Sequence, residues 1–405
     1  MNSADRPALS LRDVSMLIAL TAIVAFFCLQ GYLSTGRLDF ISPRNLSLLS
    51  IELAVTAVLA LGMLLVIVPG HIDLSAGSGV GLLGGLAAML VMNPDGLVAH
   101  LLGQHSDAVL GHGLSAPVAL VVATMAGVLL YAGMGALIVH QRIPAFIITL
   151  GGLLAFKGLH WKAIASATIP VVPGGQSNLF SSLTTYYLPA WASWVLLALV
   201  VGALGAGSLR AHLGRTREAR SKKAGETAFL RVFVTGQLIA LTILVTSQYR
   251  GLPLAAVILA LTAAAIHVLT QHTPFGRYLY AIGGNEDAAR ISGVPIERVT
   301  VGAFTIMGLI VALTGFLQTA YAGSSTTTIG QLMELDAIAA CVIGGTSLKG
   351  GRGSVVGVLF GALIMAALLN GMTLMAVSPE NKFIARGLVL ALAVWMDVTL
   401  SRRRA

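Results

Sequence analysis

Charge is what this sequence has least of. Only 10% of its 405 residues are Asp, Glu, Lys or Arg, against 56% hydrophobic residues. Soluble domains carry about 25% charged residues, so the composition excludes an ordinary soluble chain and points to a polytopic membrane protein. Cysteine is nearly absent. Cys28 and Cys341 stand far apart in apolar stretches, which gives neither a disulfide framework nor a zinc site. Catalytic signatures are missing too: there is no GxxxxGK[ST] phosphate loop, no HExxH and no GxSxG. The chain is therefore not expected to be an enzyme or to hydrolyse ATP itself, and no bound cofactor or metal is expected. The formal charge of +9 fits basic loops on one side of a membrane better than nucleic-acid binding.

What is present is a succession of apolar runs. A helix needs about 20 residues to cross the hydrocarbon core, and twelve segments qualify: 14–33, 50–69, 73–92, 117–139, 144–165, 191–209, 232–249, 253–271, 299–322, 335–348, 354–374 and 382–400. The third is open to a break near its start, and the tenth is short enough to be a half-helix, so the expectation is an all-α protein with about 10–12 transmembrane helices. The first run is too long for a signal-peptide core and is read as a retained helix. With the N-terminus inside, the inside loops receive Arg6, Arg12, Arg142, the run Arg210–Arg231, Arg277, Arg290, Arg298, Lys349, Arg352 and Arg402–Arg404, while 93–116 and 166–190 hold neither Lys nor Arg. Both termini are then cytoplasmic. Residues 1–405 read as one transmembrane domain with two inside insertions: a basic linker at 210–231, either simply solvated or binding anionic lipid or a partner, and a loop at 273–299.

Two clusters invite other chemistry. His100, His105 and His112 are spaced unlike any helical ligand pair, and no Cys or carboxylate cluster joins them, so no metal site is expected. The acids Glu52, Asp73, Asp336 and Asp397 all fall near segment ends on this map, which argues against an ion-coupled carrier with mid-span carboxylates. That carrier is the alternative reading.

The 273–299 loop, TPFGRYLYAIGGNEDAARISGVPIERV, is the most informative stretch. Asn285 is placed to cap a short helix, with Glu286 and Asp287 in its first turn where negative charge suits the dipole. Ala288, Ala289 and Ile291 give it a small, partly apolar face, and Gly293 is placed to stop it. Such a helix either docks into a groove on a partner or lies on the lipid interface. Asp287-Ala288-Ala289-xxx-Gly293 resembles the EAA loop of ABC-importer permeases, with Asp for the first Glu. IDLSAGS (72–78) and the glycine-rich stretch 334–372 resemble further elements of the ribose/xylose/galactose permeases. The two extra apolar runs at 190–250 and the AVWMDVTLSRRR terminus are similar to the D-xylose branch. The resemblance implies a type II importer-like permease in the bacterial inner membrane, working with a second permease copy, ATPase subunits that bind ATP–Mg and a periplasmic sugar-binding protein. It implies ATPase coupling through Gly283, Gly284, Asn285, Glu286, Asp287, Ala288, Ala289, Arg290 and Gly293.

Glycine supplies a last pattern. GSGVGLLGG contains GxGxxG at Gly79, Gly81 and Gly84, but a membrane-length apolar run precedes it and no acid follows at about 20 residues, so a dinucleotide site is excluded. Gly77, Gly81 and Gly85 instead form one helical face suited to close packing, and Gly353, Gly357 and Gly361 repeat the spacing. The two copies suggest either an internal duplication with one such helix in each half or chance in a glycine-rich chain. Polar residues suited to a sugar path are Asp73, Ser75, Ser78, Thr346, Ser347 and Asn370, although Asp73 also suits a helix start.

Overall fold

The computed structural model describes residues 11–102, 113–172, 175, 177–213, 236–237 and 239–402. It is a helical bundle: α1 (Leu11–Thr35), α2 (Pro43–Ile67), α3 (Ala76–Met92), α4 (Pro94–Leu102), α5 (Ala116–His140), α6 (Ala145–Ala163), α7 (Leu179–Thr185), α8 (Ala190–Leu213), α9 (239–247), α10 (Leu254–His272), α11 (Pro274–Gly284), α12 (Glu286–Ile291), α13 (Ile296–Ala322), α14 (Met333–Ile343), α15 (Val355–Leu374) and α16 (Pro379–Arg402). Two antiparallel bridges tie connections together: β1 (Ile169–Pro170) with β4 (Ser324–Ser325), and β2 (Tyr187–Leu188) with β3 (Leu252–Pro253). The chain is a multi-pass membrane protein. Seven of the described helices are long and apolar enough to cross a bilayer: α1, α2, α5, the first part of α8, α10, α13 and α15.

All twelve expected segments fall on helices, the seventh only in part because 232–235 and 238 lie outside the described residues, as do His105, His112 and all of the 210–231 linker beyond Leu213. Two helices are too short to span. The 17 residues of α3 and the 11 of α14 correspond to roughly 26 and 16 Å at about 1.5 Å per residue, against a core of about 30 Å.

Burial separates an inner from an outer layer. α2, α13 and α15 are largely buried, whereas α1, α8 and α10 keep most of their surface outward. α13 is the hub, packed on α2, α3 and α5. Backbones approach closely at each crossing because glycine removes the side chain between them. At α3–α13 a Cβ on Gly315 would sit 2.6 Å from the Val80 carbonyl oxygen, and at α5–α13 a Cβ on Gly135 would sit 3.0 Å from Phe304 Cβ.

The loop of α11 and α12 marks one end of the bundle, called here the near end. α3 does not start there. Its first turn lies level with the middle of its neighbours: Ser75 is against Gly152 within α6, and Gly79 against Val311 within α13. From there α3 runs to the far end. α14 does the reverse, starting at the level of Gly77 and ending at the near end against Gly357. The alternation of the twelve-segment map starts both glycine segments, 73–92 and 354–374, on the inside; the structure differs, because only α15 starts at the near end, and the 68–75 connection carries the chain into the bundle before α3 begins.

Replacing Gly315 with Val should cost about 1–3 kcal/mol through overpacking at the α3–α13 crossing. Gly133→Ala, on an open face of α5 with no atom near its added Cβ, should be neutral or better. Thermal unfolding in detergent checks both, and equal midpoints for Gly315→Val and wild type would contradict this packing.

Candidate functional site

The near-end loop is built from local rules. Thr273 caps α11, its hydroxyl accepting from Gly276 N at 3.3 Å, and Pro274 occupies the first turn. Gly276, Leu279 and Ile282 face inward. Asn285 is extended, so α11 ends there and the six-residue α12 begins: the Asn285 side chain accepts from Ala288 N at 2.9 Å. Glu286 and Asp287 occupy the first turn of α12, and Arg290 pairs with Glu286 at 2.8 Å. Gly293 closes the helix at φ +80°, with its N–H donating to the Arg290 carbonyl. Of the three small or apolar residues, only Ala289 turns inward; Ala288 is exposed, and Ile291 stands 88% exposed at the tip.

This loop is seated on the two other motifs. A Cβ on Gly283 would overlap the Val68 carbonyl and Gly351 N, whereas Gly284 faces open space. Gly351 N donates to the Val68 carbonyl at 2.9 Å, and Tyr280 donates its hydroxyl proton to the Gly353 carbonyl at 2.9 Å. Gly350 and Gly351 are consecutive residues at φ +87° and +73°, a turn that L side chains resist. Ser354 then caps α15, accepting from Gly357 N. His71, next to IDLSAGS, lies beside this junction, its ring 6.2 Å from that of Phe304. Three stretches far apart in sequence thus converge at one end of the bundle.

A second centre lies deeper, where α3 and α14 start. Asp73 Oδ1 accepts from Ser75 N at 2.8 Å and from Ser75 Oγ at 2.6 Å, and Ser75 Oγ lies 3.2 Å from Tyr131 Oη. Asp73 Oδ2 is buried without a partner among the described residues. Gly77 meets the Gly330 carbonyl and Glu334; Gly81 meets the Ile329 carbonyl and His160; Gly85 meets His160 and Ser325. That glycine face therefore packs on the non-helical 324–331 connection and α6. The copy at Gly357 and Gly361 meets the Gly344 and Ala340 carbonyls of α14, and Gly353 lies beside Leu64 and Thr346. The two copies have different partners. Gly79 and Gly84, set aside as a chance fingerprint, also lie at close contacts, with Tyr131 and Val311 and with Thr319 and Gly315.

The candidate path residues occupy three separate settings. Asp73 and Ser75 are buried at the start of α3, with half-buried Ser78 beside them. Thr346 and Ser347 are buried in the near-end turn, where Ser347 N donates to the Arg352 carbonyl. Asn370 lies toward the far end, donating to Glu52 Oε2 at 3.0 Å and accepting from Asn45 Nδ2 at 2.8 Å. The acids also differ from expectation. Asp336 is 5% exposed inside the bundle, 3.3 Å from Arg386 Nε, and Glu52 accepts from the Tyr321 hydroxyl at 2.9 Å. Asp336 looked terminal because α14 was drawn as a spanning helix although it starts at mid-bundle, and Glu52 because α2 was drawn from 50 although it starts at Pro43. Glu334, at 6% exposure, was missed altogether, since a carboxylate next to an apolar run reads as a helix boundary. No cluster of three or more metal-ligating side chains occurs among the described residues.

The sequence profile of the family described as "Branched-chain amino acid transport system / permease component" matches residues 45–394. The chain is 38% identical over 401 residues to the xylose transport system permease protein XylH of Escherichia coli (strain K12), covering 98% of this chain and 94% of that one. It is 35% identical to the Haemophilus influenzae protein of the same name, with 98% of each covered. It is 31% identical over 375 residues to the ribose import permease protein RbsC of Bacillus subtilis (strain 168), covering 92% and 91%. No solved structure matches. The profile match across the bundle, together with end-to-end identity to named permease proteins, shows that the chain belongs to the branched-chain amino acid transport system / permease component family.

Proposed function

We propose that this chain is the membrane-spanning subunit of an ATP-driven, binding-protein-dependent pentose importer, with D-xylose as the expected sugar. The observation that carries the reading is the full-length similarity to proteins named as xylose transport system permeases. On this reading two copies of the chain assemble with two ATPase subunits, which bind ATP–Mg, and with a periplasmic binding protein that selects the sugar. The complex sits in the bacterial inner membrane. The near end faces the cytoplasm together with both termini and the 210–231 linker.

The near-end loop supports an ATPase-docking role on physical grounds. α12 is short and capped at both ends, and the end of α11 that leads into it is seated at Gly283 on backbone rather than on flexible side chains, so force on the loop is not absorbed locally. Ile291 offers an apolar contact that no described residue covers. Behind it, Gly283 presses on α2 at Val68 and on the turn at Gly351, the turn that joins α14 to α15. Closure of the ATPases would thereby be delivered to the helix that ends at mid-bundle. The buried acids remove the argument against an ion-coupled carrier that their apparent terminal positions provided. Similarity to importer permeases, not acid placement, now favours ATP.

In proteoliposomes carrying the permease with its ATPase and binding protein, D-xylose uptake is expected to require ATP and the binding protein and to survive collapse of ion gradients by ionophores. Uptake that needs an ion gradient and ignores ATP would establish the carrier instead. Gly283→Val should reduce uptake at least tenfold by forcing the loop off Val68 and Gly351, while Gly284→Val, which meets no atom, should keep the loop seated. Gly293→Val acts through backbone, since φ +80° costs a side chain roughly 1–2 kcal/mol. It should uncouple ATPase activity from uptake with membrane insertion intact. Normal uptake by Gly283→Val would remove the loop from the coupling route.

A further inference from the structure

A half-open cavity of about 350 Å³, with a mixed polar and apolar lining, lies between the α3–α14 crossing and the far end, lined by α2, α13, α14, α15, α16 and the 328–331 stretch. Its volume falls in the roughly 300–1,000 Å³ range of small-molecule sites. Its floor is Gly330 and Asp336, and its upper wall includes Thr373, near the far end of α15. None of the sugar-path residues expected from sequence lines it.

The lining has an unusual balance. Its charged groups are already engaged: Glu52 accepts from Tyr321 and Asn370, and Asp336 is paired with Arg386. Its neutral amides are not. Gln318 and Gln331 make no side-chain hydrogen bond among the described residues. Each amide has two donor hydrogens and a carbonyl acceptor, the pairing that adjacent hydroxyls on a sugar ring satisfy from both directions. Thr56 and Thr328 add hydroxyls, and Phe383, 43% exposed, gives an apolar wall for a C–H face. A charged solute would have to displace matched ions; a neutral polyol only completes open hydrogen bonds. Gln318 is half-buried and Gln331 exposed, so both amides are open to an entering ligand that brings its own donors and acceptors.

We propose that this chamber is a transient binding site for a neutral monosaccharide, with Gln318 and Gln331 as its principal hydrogen-bonding groups and the Gly77–Gly330 crossing as its closed floor. The proposal rests on the sugar-importer reading but is tested separately from it. Saturation-transfer NMR on the purified full-length chain, with D-xylose as the probe, reads binding without partners. Transport and binding-protein-stimulated ATP hydrolysis are read in proteoliposomes of the whole complex.

Wild-type protein should transfer saturation to the sugar C–H protons. Gln318→Leu with Gln331→Leu should cut that transfer at least fivefold and uptake at least tenfold, while stimulated ATP hydrolysis stays within twofold, because the near-end loop is untouched. The milder pair Gln318→Asn and Thr328→Val covers the case in which the leucine variants fail to insert, and should lower both signals at least threefold. No signal from wild type, or uptake within twofold of wild type in the inserted variants, would overturn the chamber. Wild-type binding without ATP-dependent uptake would leave the chamber standing and overturn the importer reading.

Discussion

Backbone that leaves helical form inside a membrane has no water to satisfy it, so every N–H and C=O must be answered by the protein. The rest of this structure depends on how that constraint is met at two places, the connections 68–75 and 323–332. In the first, Asp73 answers the N–H of Ser75, and Thr149 donates to the Ile72 carbonyl at 3.1 Å. In the second, β4 pairs with β1, Val171 N donates to the Gly323 carbonyl, Trp161 Nε1 donates to the Thr327 carbonyl, and tight turns close at Ile329, Gln331 and Met333. The glycines at 77, 81 and 330 then allow the two interrupted segments to cross almost backbone to backbone. A methyl group at that point would separate the segments and leave their polar groups without partners.

The same arrangement stores strain. Leu332, the residue before α14, holds φ +60°, a conformation that costs a non-glycine residue roughly 1–3 kcal/mol and persists only where surroundings impose it. It sits between the chamber floor at Gly330 and the buried acids at Glu334 and Asp336. A short helix with a strained start, a buried ion pair to α16 and a glycine turn at its other end has the elements of a two-position device. Such a device needs two packings of similar energy rather than a gradual deformation.

How legible this was in the sequence follows from the physics of each signal. Long apolar runs report membrane helices because lipid demands length, and so the helical segments were placed within a few residues. The near-end loop was legible because its caps are local: Asn285, the acidic first turn and Gly293 fall within nine consecutive residues. The interruptions were legible as lengths, an opening for a break near the start of the third segment and a short tenth one, but what answers their backbone was not: the 323–331 connection is met by His160, Trp161 and Val171, all more than 150 positions away. Glycine spacing correctly marked close approach but not the partner. Gly84 faces α13 while Gly81, three residues earlier, faces His160, and nothing within α3 distinguishes those neighbours. Gln318 and Gln331 escaped notice because an amide in an apolar run becomes meaningful only when a cavity is seen beside it.

α14 joins these observations into one physical sequence. Its near end leads into the turn that holds Gly351 against Gly283, and its inner end carries Asp336 at the floor of the chamber. A displacement at the loop and a change at the floor are therefore displacements of the two ends of one 11-residue helix. A helix this short and internally hydrogen-bonded moves as a unit, so its ends are not free to respond independently. A continuous spanning helix in this position would be anchored in both interfaces and would transmit little. By starting at mid-bundle, α14 exchanges anchorage in a second interface for the contacts of its inner end: Glu334 against Gly77 at the glycine crossing and Asp336 beside Arg386.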